Sequence, residues 1–376
     1  MAQEGGLLGT IGCRAEFLGP VLARERGPTA PTEQPHEGVG RGRLFSTGLG
    51  RRLGAAGSPR RSAWSATLAF VGNLGLGRGL PRLLSAQRQS QGPMEIGQEQ
   101  AWDAAAEAYA KWWPTFERAA HPVSIRLCDL ARLGPGQRVL DVATGIGEPA
   151  LTAARRVMPG GLVLAVDRSP RMIAQARMRA AEAGVLNVEF RCARAESLTA
   201  GPGEFDAALC RWGLGFVSDL NALLASVYRR LGAGRLFAAA LWGAPHKVPL
   251  MSLASVAVRR LTSAVPRPPY RLDSFRLSDM ETLMHALERA GFVMESVESM
   301  AITFEFDAPR TFADFRIGIS PSLHAFLAPQ PEQAREDLAQ ALAEAARPLA
   351  ASDGRLRLVN EVFCLAARKR RGFAIS

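Results

Sequence analysis

The sequence predicts an α/β fold, a doubly wound parallel sheet with an antiparallel edge strand. Three observations support this prediction. Residues 137–242 alternate between short apolar runs and longer stretches of helical periodicity. A glycine-containing turn follows the first apolar run, at Gly145 and Gly147. Two long strand-like segments come later in the chain and suit an antiparallel addition to a parallel sheet.

The alternating region predicts five strands joined by helical crossovers, which build a doubly wound sheet when the connections are right-handed. The predicted strands are residues 138–142, 162–167, 187–192, 205–210 and 235–241. The predicted crossover helices are residues 149–157, 170–184 and 220–231. Two helices are expected ahead of them, at residues 98–116 and 121–133, with Trp102, Tyr109 and Trp113 on one face of the first.

After the fifth strand, the proline-containing residues 243–277 are predicted to form an inserted loop or lid. Ser278 and Glu281 have the spacing of a capping box, which predicts a helix that runs to Ala290. Residues 292–306 and 355–367 are then predicted as strands, separated by a helix at residues 331–347.

The first 93 residues differ from the rest in composition. They contain twelve Arg, no Lys and five Glu, and so carry +7 of the net charge of +11. They are rich in Gly, Pro and Ser and show no sustained periodicity, which predicts disorder. Three explanations stay open: a start site assigned upstream of Met94, an organelle transit peptide, or a basic interaction tail. The predicted organisation is therefore an extension at 1–93, covering helices at 94–136 and a main domain at 137–376.

The cysteines and the apolar runs bear on the compartment. The five cysteines include no C-x-x-C pair, which favours reduced thiols in the cytoplasm and disfavours a zinc site or any other metal. An organelle matrix is the alternative if residues 1–93 are a transit peptide. No apolar run is long enough for a transmembrane helix. The oligomeric state is not predicted.

Carboxylates at the ends of the first two strands point to a ligand site. Asp141 ends the first strand, and Asp167 ends the second, 22 residues after Gly145, a spacing typical of an acid that binds ribose hydroxyls. Residues 145–150 also satisfy the dinucleotide fingerprint G-x-G-x-x-A. However, Glu148 would repel a pyrophosphate at the helix N-terminus, so the acidic frame fits a cationic ligand better. Asp167 could instead cap the next helix, although Ser169 suits that role better.

Four segments together resemble successive motifs of class I S-adenosylmethionine-dependent methyltransferases. These are residues 139–150 (VLDVATGIGEPA), 165–172 (AVDRSPRM), 195–198 (AESL) and 205–213 (FDAALCRWG). The likeness is strongest to the small-molecule branch around the ubiquinone and menaquinone C-methyltransferases, and it implies a Rossmann-like fold and S-adenosyl-L-methionine as cofactor. The cofactor-binding residues it implies are Asp141, Ala143, Gly145, Gly147, Asp167, Met172 and Ala195, and we add Arg211 at the end of the fourth strand.

Two positions depart from the family pattern. Ala143 stands where many members have the first glycine of the turn. Arg194 stands where Asp or Asn usually accepts a hydrogen bond from the adenine amine, and arginine has no acceptor. Adenine would then be recognised by backbone groups or by stacking.

The expected function is methyl transfer to a small-molecule acceptor, namely a quinone-like compound, a phenol or another secondary metabolite. His121 and His246 are the candidate bases, although a lone histidine is more often structural. Five aromatic residues are expected to wall the acceptor pocket or to pack in the core: Trp112, Trp113, Trp212, Phe216 and Trp242. Nucleic acid is disfavoured as substrate, because residues 210–213 lack the Asp/Asn-Pro-Pro-aromatic signature of base-methylating enzymes.

Two other functions stay open. A non-catalytic binding protein that keeps the methyltransferase fold is the first, and Arg194 is its best support. A nicotinamide-dependent oxidoreductase is the second, and Glu148 disfavours it.

Overall fold

The computed structural model describes residues 98–198, 201, 203–261 and 274–372. The extension predicted at residues 1–93 lies outside the described residues. None of the helices in the described part of the chain is both long and apolar enough to cross a bilayer.

A seven-stranded sheet with the order β3-β2-β1-β4-β5-β7-β6 forms the centre of the fold. Its strands are β1 Arg138–Val142, β2 Leu162–Asp167, β3 Val188–Cys192, β4 Phe205–Arg211, β5 Leu231–Trp242, β6 Phe292–Phe306 and β7 Leu356–Lys369. Strands β1 to β5 pair in parallel, and β7 runs antiparallel to both β5 and β6. The predicted fold class, a doubly wound sheet with an antiparallel addition, is confirmed.

Helices cover both faces of the parallel strands, so β1, β2 and β4 are buried almost throughout and read as continuous apolar runs. Neighbouring residues on β1 point to opposite faces: Val139 joins one apolar core and Leu140 the other. Strand β6 lies at the edge of the sheet, and much of its length alternates between partly buried and exposed residues. The helices are α1 Gln98–Leu130, α2 Ala150–Arg156, α3 Pro170–Glu182, α4 Leu220–Arg230, α5 Pro249–Leu261, α6 Met280–Arg289, α7 Pro309–Gly318, α8 Pro321–Leu327 and α9 Gln333–Ala346.

Helix α1 is continuous, so the prediction of two helices at 98–116 and 121–133 is wrong about the break. Pro114 and Pro122 lie inside the helix, where each removes one backbone hydrogen bond. The apolar face nevertheless continues past both prolines with the buried Phe116, Ala120, Val123 and Leu127. Burial of this face against the sheet therefore holds the helix together across the two prolines.

The segment predicted as a loop or lid, residues 243–277, contains regular structure. A 3-10 turn at Pro245–Lys247 leads into α5, whose apolar face is buried against α9. The prolines that suggested a loop, at 266, 268 and 269, lie outside the described residues. Helix α5 formed because its apolar residues recur at helical spacing, a signal that the downstream prolines obscured.

Two further differences concern helix ends and helix number. The N-cap of α6 is Asp279, which accepts from the Glu281 amide at 3.1 Å, so Ser278 does not cap it. Helices α7 and α8 were not predicted at all, and both carry residues that line the site described below.

Candidate functional site

The turn after β1 is held in a left-handed backbone conformation at several residues. Ala143 has φ 57°, Gly145 has φ 56° and Gly147 has φ 104°, a conformation that favours glycine. Ala143 therefore adopts a backbone that is costly for an L-residue. The Thr144 amide donates to the carbonyl of Val166 at 3.0 Å, which attaches the turn to the end of β2.

Asp167 holds this turn from β2. One carboxylate oxygen accepts from the Gly145 amide at 2.9 Å, and the other accepts from the Ser169 amide at 2.9 Å. Burial raises the pKa of Asp167, and these two backbone donors oppose the rise. Ser169 is the N-cap of α3, because its hydroxyl accepts from the Met172 amide, as predicted.

Asp141 is the most unusual carboxylate of the site. It is fully buried, and neither of its carboxylate oxygens has a hydrogen-bond partner among the described residues. The hydroxyl of Thr144 is buried beside it. Burial raises the pKa of Asp141 to about 7 and the charge of Glu148 contributes to the rise, whereas the Thr144 hydroxyl, the charge of Arg211 and the Ala150 amide oppose it. A buried group in this state needs either a proton or a cationic partner.

A single cavity extends from this turn across the carboxyl ends of the central strands. It contains about 1220 Å³ of space when the open solvent at its mouth is counted. Six of the eight residues predicted to bind the cofactor line it: Ala143, Gly145, Asp167, Met172, Ala195 and Arg211. Asp141 and Gly147 lie behind its wall, and a Cβ on Gly147 would contact Leu151 and Ala176 at 3.4–3.5 Å.

Arg194 and Glu196 flank Ala195, and all three line the cavity after β3. Arg194 is exposed, whereas Ala195 is buried. The Ala193 amide donates to the carbonyl of Asp167 at 2.9 Å, which fixes this backbone beside β2. Glu196 is a carboxylate that the sequence interpretation did not single out, and its side chain is an acceptor one residue beyond the buried Ala195.

Aromatic rings line the other end of the cavity. Trp212 and Trp242 stack with their centroids 4.5 Å apart and an interplanar angle of 7°. Phe116 meets Trp212 edge to face at 5.6 Å, and Phe216 meets Trp102 in the same way at 5.2 Å. Of the five aromatic residues predicted for this pocket, Trp113, Trp212, Phe216 and Trp242 line the cavity. Trp112 is not among its lining residues and packs against Phe315 at 5.7 Å.

Arg211 connects β4 to α1 beneath these rings. Its guanidinium donates to the Ser124 hydroxyl at 2.7 Å and pairs with Glu117 at 3.0 Å. The same guanidinium lies 5.3 Å from the Trp212 ring centroid. The charge of Arg211 is thus compensated within the protein, and its role as a ligand contact stays a prediction.

The two candidate histidines do not line the cavity. His121 is 48% exposed and its ring contacts Glu117 at 3.2 Å. His246 is exposed in the 3-10 turn after β5. Their proposed role as bases therefore has no support from the geometry of the described residues.

Residues of α7 and α8 also line the cavity, and the sequence interpretation did not identify them. They are Arg316, Ser320 and Ser322. Ser320 is the N-cap of α8, and its hydroxyl accepts from the Leu323 amide. The dipeptide Ser320-Pro321 is a typical helix start and was the available signal for this helix.

Comparison with known proteins finds similarity to methyltransferases. Residues 139–234 match the family model described as a methyltransferase domain. The ubiquinone/menaquinone biosynthesis C-methyltransferase UbiE of Pseudomonas putida is 31% identical over 175 residues, which cover 44% of this chain and 68% of that protein. A ubiquinone biosynthesis O-methyltransferase of Xanthomonas axonopodis pv. citri is 31% identical over 198 residues, or 50% of this chain and 79% of the relative.

Other similarities cover less of the related proteins. The chain spans about half the length of the demethylmenaquinone methyltransferase of Thermus thermophilus, with 40% identity over 109 residues, 29% of this chain and 49% of that one. It spans 44% of the uncharacterized protein Rv1405c of Mycobacterium tuberculosis, at 32% identity over 126 residues, 34% of this chain. The identity to the P. putida and X. axonopodis enzymes over most of their length, together with the fold, shows the family: the chain belongs to the class I S-adenosylmethionine-dependent methyltransferases.

Proposed function

We propose that this protein transfers a methyl group from S-adenosylmethionine to a small aromatic acceptor, a quinone-like compound, a phenol or a related secondary metabolite. The observation that carries the proposal is one continuous cavity. It has the glycine turn with the neighbouring carboxylates of Asp141, Glu148 and Asp167 at one end, and stacked aromatic rings at the other. A cofactor at the turn and an acceptor against the rings would lie side by side in this cavity.

The residues at the turn fit the charge of the cofactor. S-adenosylmethionine carries an ammonium and a sulfonium, and the buried carboxylates of Asp141 and Glu148 complement positive charge. Each carboxylate oxygen of Asp167 accepts one backbone hydrogen bond and can accept another, which suits ribose hydroxyls. When bound, the cofactor supplies a methyl group on a positively charged sulfur, already activated for transfer.

The adenine end of the site is held by the backbone around Ala195. Arg194 cannot accept from the adenine amine, so we assign adenine recognition to the backbone of Ala193 and Ala195, with Glu196 as the nearby side-chain acceptor.

The protein contributes alignment and exclusion of water at the aromatic end. Trp212 has φ 59°, and its amide donates to the carbonyl of Ala240 at 2.9 Å, so the ring is fixed relative to β5. Stacked against Trp242, it offers a rigid apolar surface for a planar acceptor. Holding the reacting atoms in line supplies a large part of such a rate enhancement. The proposal does not depend on His121 or His246.

We propose that the described parts of the segment 243–277, residues 243–261 and 274–277, cover the acceptor as a lid. Met251 on α5 and Ser274 line the cavity from the two described parts of this segment, which supports a covering role. A small-molecule acceptor in the cytoplasm is part of the same proposal.

Two alternative functions make different predictions. A non-catalytic binding protein would bind S-adenosylmethionine without turnover, and Arg194 is the feature that favours it. An oxidoreductase would bind a dinucleotide, which the buried Glu148, 6% exposed at the start of α2, disfavours.

The test is incubation of the full chain with S-adenosylmethionine labelled in the methyl group, first with a cell extract and then with a panel of phenols and quinols. We expect a labelled small molecule, and its loss in the Asp167→Asn variant. The matched control is Asp206→Asn, because Asp206 lies at the opposite end of the strands and pairs with Arg235 at 2.7 Å. Cofactor binding without any labelled product would contradict methyl transfer and favour the binding protein.

A further inference from the structure

Arg316 on α7 is a buried cation that lines the cavity. The residue is 5% exposed. Among the residues that the structure describes, none forms an ion pair or a hydrogen bond with its guanidinium, and its Nε atom is fully buried without a partner. Arg211 differs from Arg316 in this respect. It is also buried and lines the same cavity, but it forms an ion pair with Glu117 at 3.0 Å.

The charge of Arg316 persists at neutral pH. Burial lowers its pKa to about 10, and no neighbouring charge counters this effect. The guanidinium is therefore still protonated at pH 7, and a buried charge without a partner is costly. A ligand that brings an anion to this position would relieve that cost.

Two hydroxyls lie on the same wall. The oxygens of Ser320 and Ser322 are 2.9 Å apart, so one of their two hydrogens is used in the bond between them. The Ser320 oxygen also accepts from the Leu323 amide at 3.2 Å. One hydroxyl hydrogen is left to donate elsewhere. Arg316, Ser320 and Ser322, which we call the α7–α8 subsite, thus present the donors of the guanidinium and one hydroxyl hydrogen to the cavity.

The α7–α8 subsite lies at the acceptor end of the cavity. The neighbouring Phe315 packs against Phe304 and Phe306 of β6, with ring centroids 5.9 and 5.1 Å apart. Strand β6 is the edge of the sheet farthest from β1, β2 and β3, which hold the cofactor turn and the adenine segment. Trp212 directly follows β4, and Trp242 is the last residue of β5. Their rings therefore lie between these two regions of the sheet.

We propose that the acceptor is an aromatic carboxylate, whose ring lies along the Trp212–Trp242 wall and whose carboxylate is bound by the α7–α8 subsite. This inference rests on the proposed function, because it names the substrate class of the same site. A carboxylate matches the planar guanidinium in a two-bond contact and accepts the remaining hydroxyl hydrogen.

The first experiment compares thermal unfolding of the full chain without ligand, in the wild type and in Arg316→Met. Methionine keeps much of the side-chain length and removes the unpaired charge, so we expect the midpoint to rise by a few degrees. The control is Arg310→Met on the exposed face of the same helix, which breaks the pair with Glu336 at 2.6 Å and should not raise the midpoint. A lower midpoint for Arg316→Met would show that Arg316 already has a partner and would overturn the proposal.

The second experiment is calorimetry on the full chain saturated with S-adenosylhomocysteine. The probes are 4-hydroxybenzoate and 4-hydroxybenzamide, which differ in charge at one group. We expect the wild type and Arg310→Met to bind the carboxylate about tenfold or more tightly than the amide, as charge-assisted hydrogen bonds discriminate. Arg316→Met should lose this preference, and Arg316→Lys should keep part of it.

Affinity for S-adenosylmethionine, measured on the same variants, distinguishes failure of the carboxylate proposal from failure of the proposed methyl transfer. Equal binding of the two probes by the wild type, or no binding of either, would overturn the carboxylate proposal while leaving methyl transfer intact. Weaker S-adenosylmethionine binding by Arg316→Met would overturn it as well, because Arg316 would then serve the cofactor. Failure of the wild type to bind S-adenosylmethionine would instead refute the proposed function.

Discussion

Asp141 is buried without a hydrogen-bond partner among the described residues, and its environment makes stability depend on pH. Its pKa is raised from 3.8 to about 7, chiefly by burial. The folded protein therefore binds more protons at this site than the unfolded chain between about pH 4 and 7, and stability falls as pH rises through that range. Protonation of this one carboxyl favours the folded state of the ligand-free protein.

The first prediction follows from this loss of stability with rising pH. Asp141→Asn cannot ionise, so its free energy of unfolding should exceed that of the wild type by a margin that grows from pH 5 to pH 8. Urea unfolding at several pH values measures the difference. Glu148 and Asp167 also have raised pKa values, so the comparison of the two proteins, which share those groups, isolates Asp141. A difference that does not change with pH would contradict the assignment.

The second prediction concerns the cofactor. A cationic ligand favours the carboxylate form of Asp141, so affinity for S-adenosylmethionine should rise by up to about tenfold between pH 6 and 7.5, about one pKa unit of linkage. Calorimetry on the wild type and on Asp141→Asn tests this. We expect a weak and much flatter pH dependence in the variant, and an equal slope in the two proteins would refute the role of Asp141.

The third prediction concerns Arg194. Replacement by Asp supplies an acceptor for the adenine amine at the position where the family resemblance predicts one, and one hydrogen bond changes affinity by about two- to tenfold. Arg194→Asp should therefore bind S-adenosylmethionine more tightly, and Arg194→Ala, which adds no acceptor, is the matched control. Equal gains in both variants would show that loss of the arginine, and not a new acceptor, is responsible.

At this scale the sequence predicted the cavity residues at the glycine turn but not those on α7 and α8. Asp141 and Asp167 could be predicted because carboxylates at the ends of neighbouring parallel strands must lie together. Arg316 could not, because an arginine among the 24 residues between the predicted strand at 292–306 and the predicted helix at 331–347 gives no sign of burial. Its environment depends on how α7 packs back on β6, a contact that the local pattern of neither element contains.

Among the elements, the contact between the two turns that follow β1 and β4 is the tightest at the site. A Cβ on Gly213 would lie 2.5 Å from the Cβ of Ala143 and 2.9 Å from the sulfur of Cys210. Ala143 is itself held in a left-handed conformation, so it has little freedom to move away. Gly213 is therefore required for close approach of the two turns.

The fourth prediction is that Gly213→Ala lowers the free energy of unfolding by about 1–3 kcal/mol, the usual cost of overpacking, and weakens S-adenosylmethionine binding. Gly134→Ala is the control, because nothing lies within 4 Å of its added Cβ. That change should stay within about 0.5 kcal/mol of the wild type. Equal behaviour of the two variants in urea unfolding would contradict the close contact.

The strands could be predicted well from local sequence, and the helices less so. Buried parallel strands are short apolar runs between turn residues, a signal that is complete within each segment. The continuity of α1 across Pro114 and Pro122 depends instead on burial against the sheet, which no local pattern contains. Helices α7 and α8 are short, and their caps were the only local signal.

For the whole molecule, the described residues that line the cavity lie between Trp102 and Ser322. The fifth prediction is that a variant beginning at Met94 keeps the thermal midpoint and the S-adenosylmethionine affinity of the full chain, because it retains every described residue that lines the cavity. A deletion of residues 1–116 is the control, since it removes Trp102, Tyr109 and Trp113 from the cavity wall and should destabilise the protein. Loss of binding in the Met94 variant would show that the N-terminal residues contribute to the site.

The central claim is that an acidic frame around the glycine turn binds S-adenosylmethionine. Calorimetric titration of the full chain with S-adenosylmethionine and, separately, with NADH tests it most directly. We predict binding of S-adenosylmethionine, about tenfold or more weaker in Asp167→Asn and unchanged in Asp206→Asn, as expected for loss of a charge-assisted contact. Absence of S-adenosylmethionine binding, or tighter binding of NADH, would contradict the account.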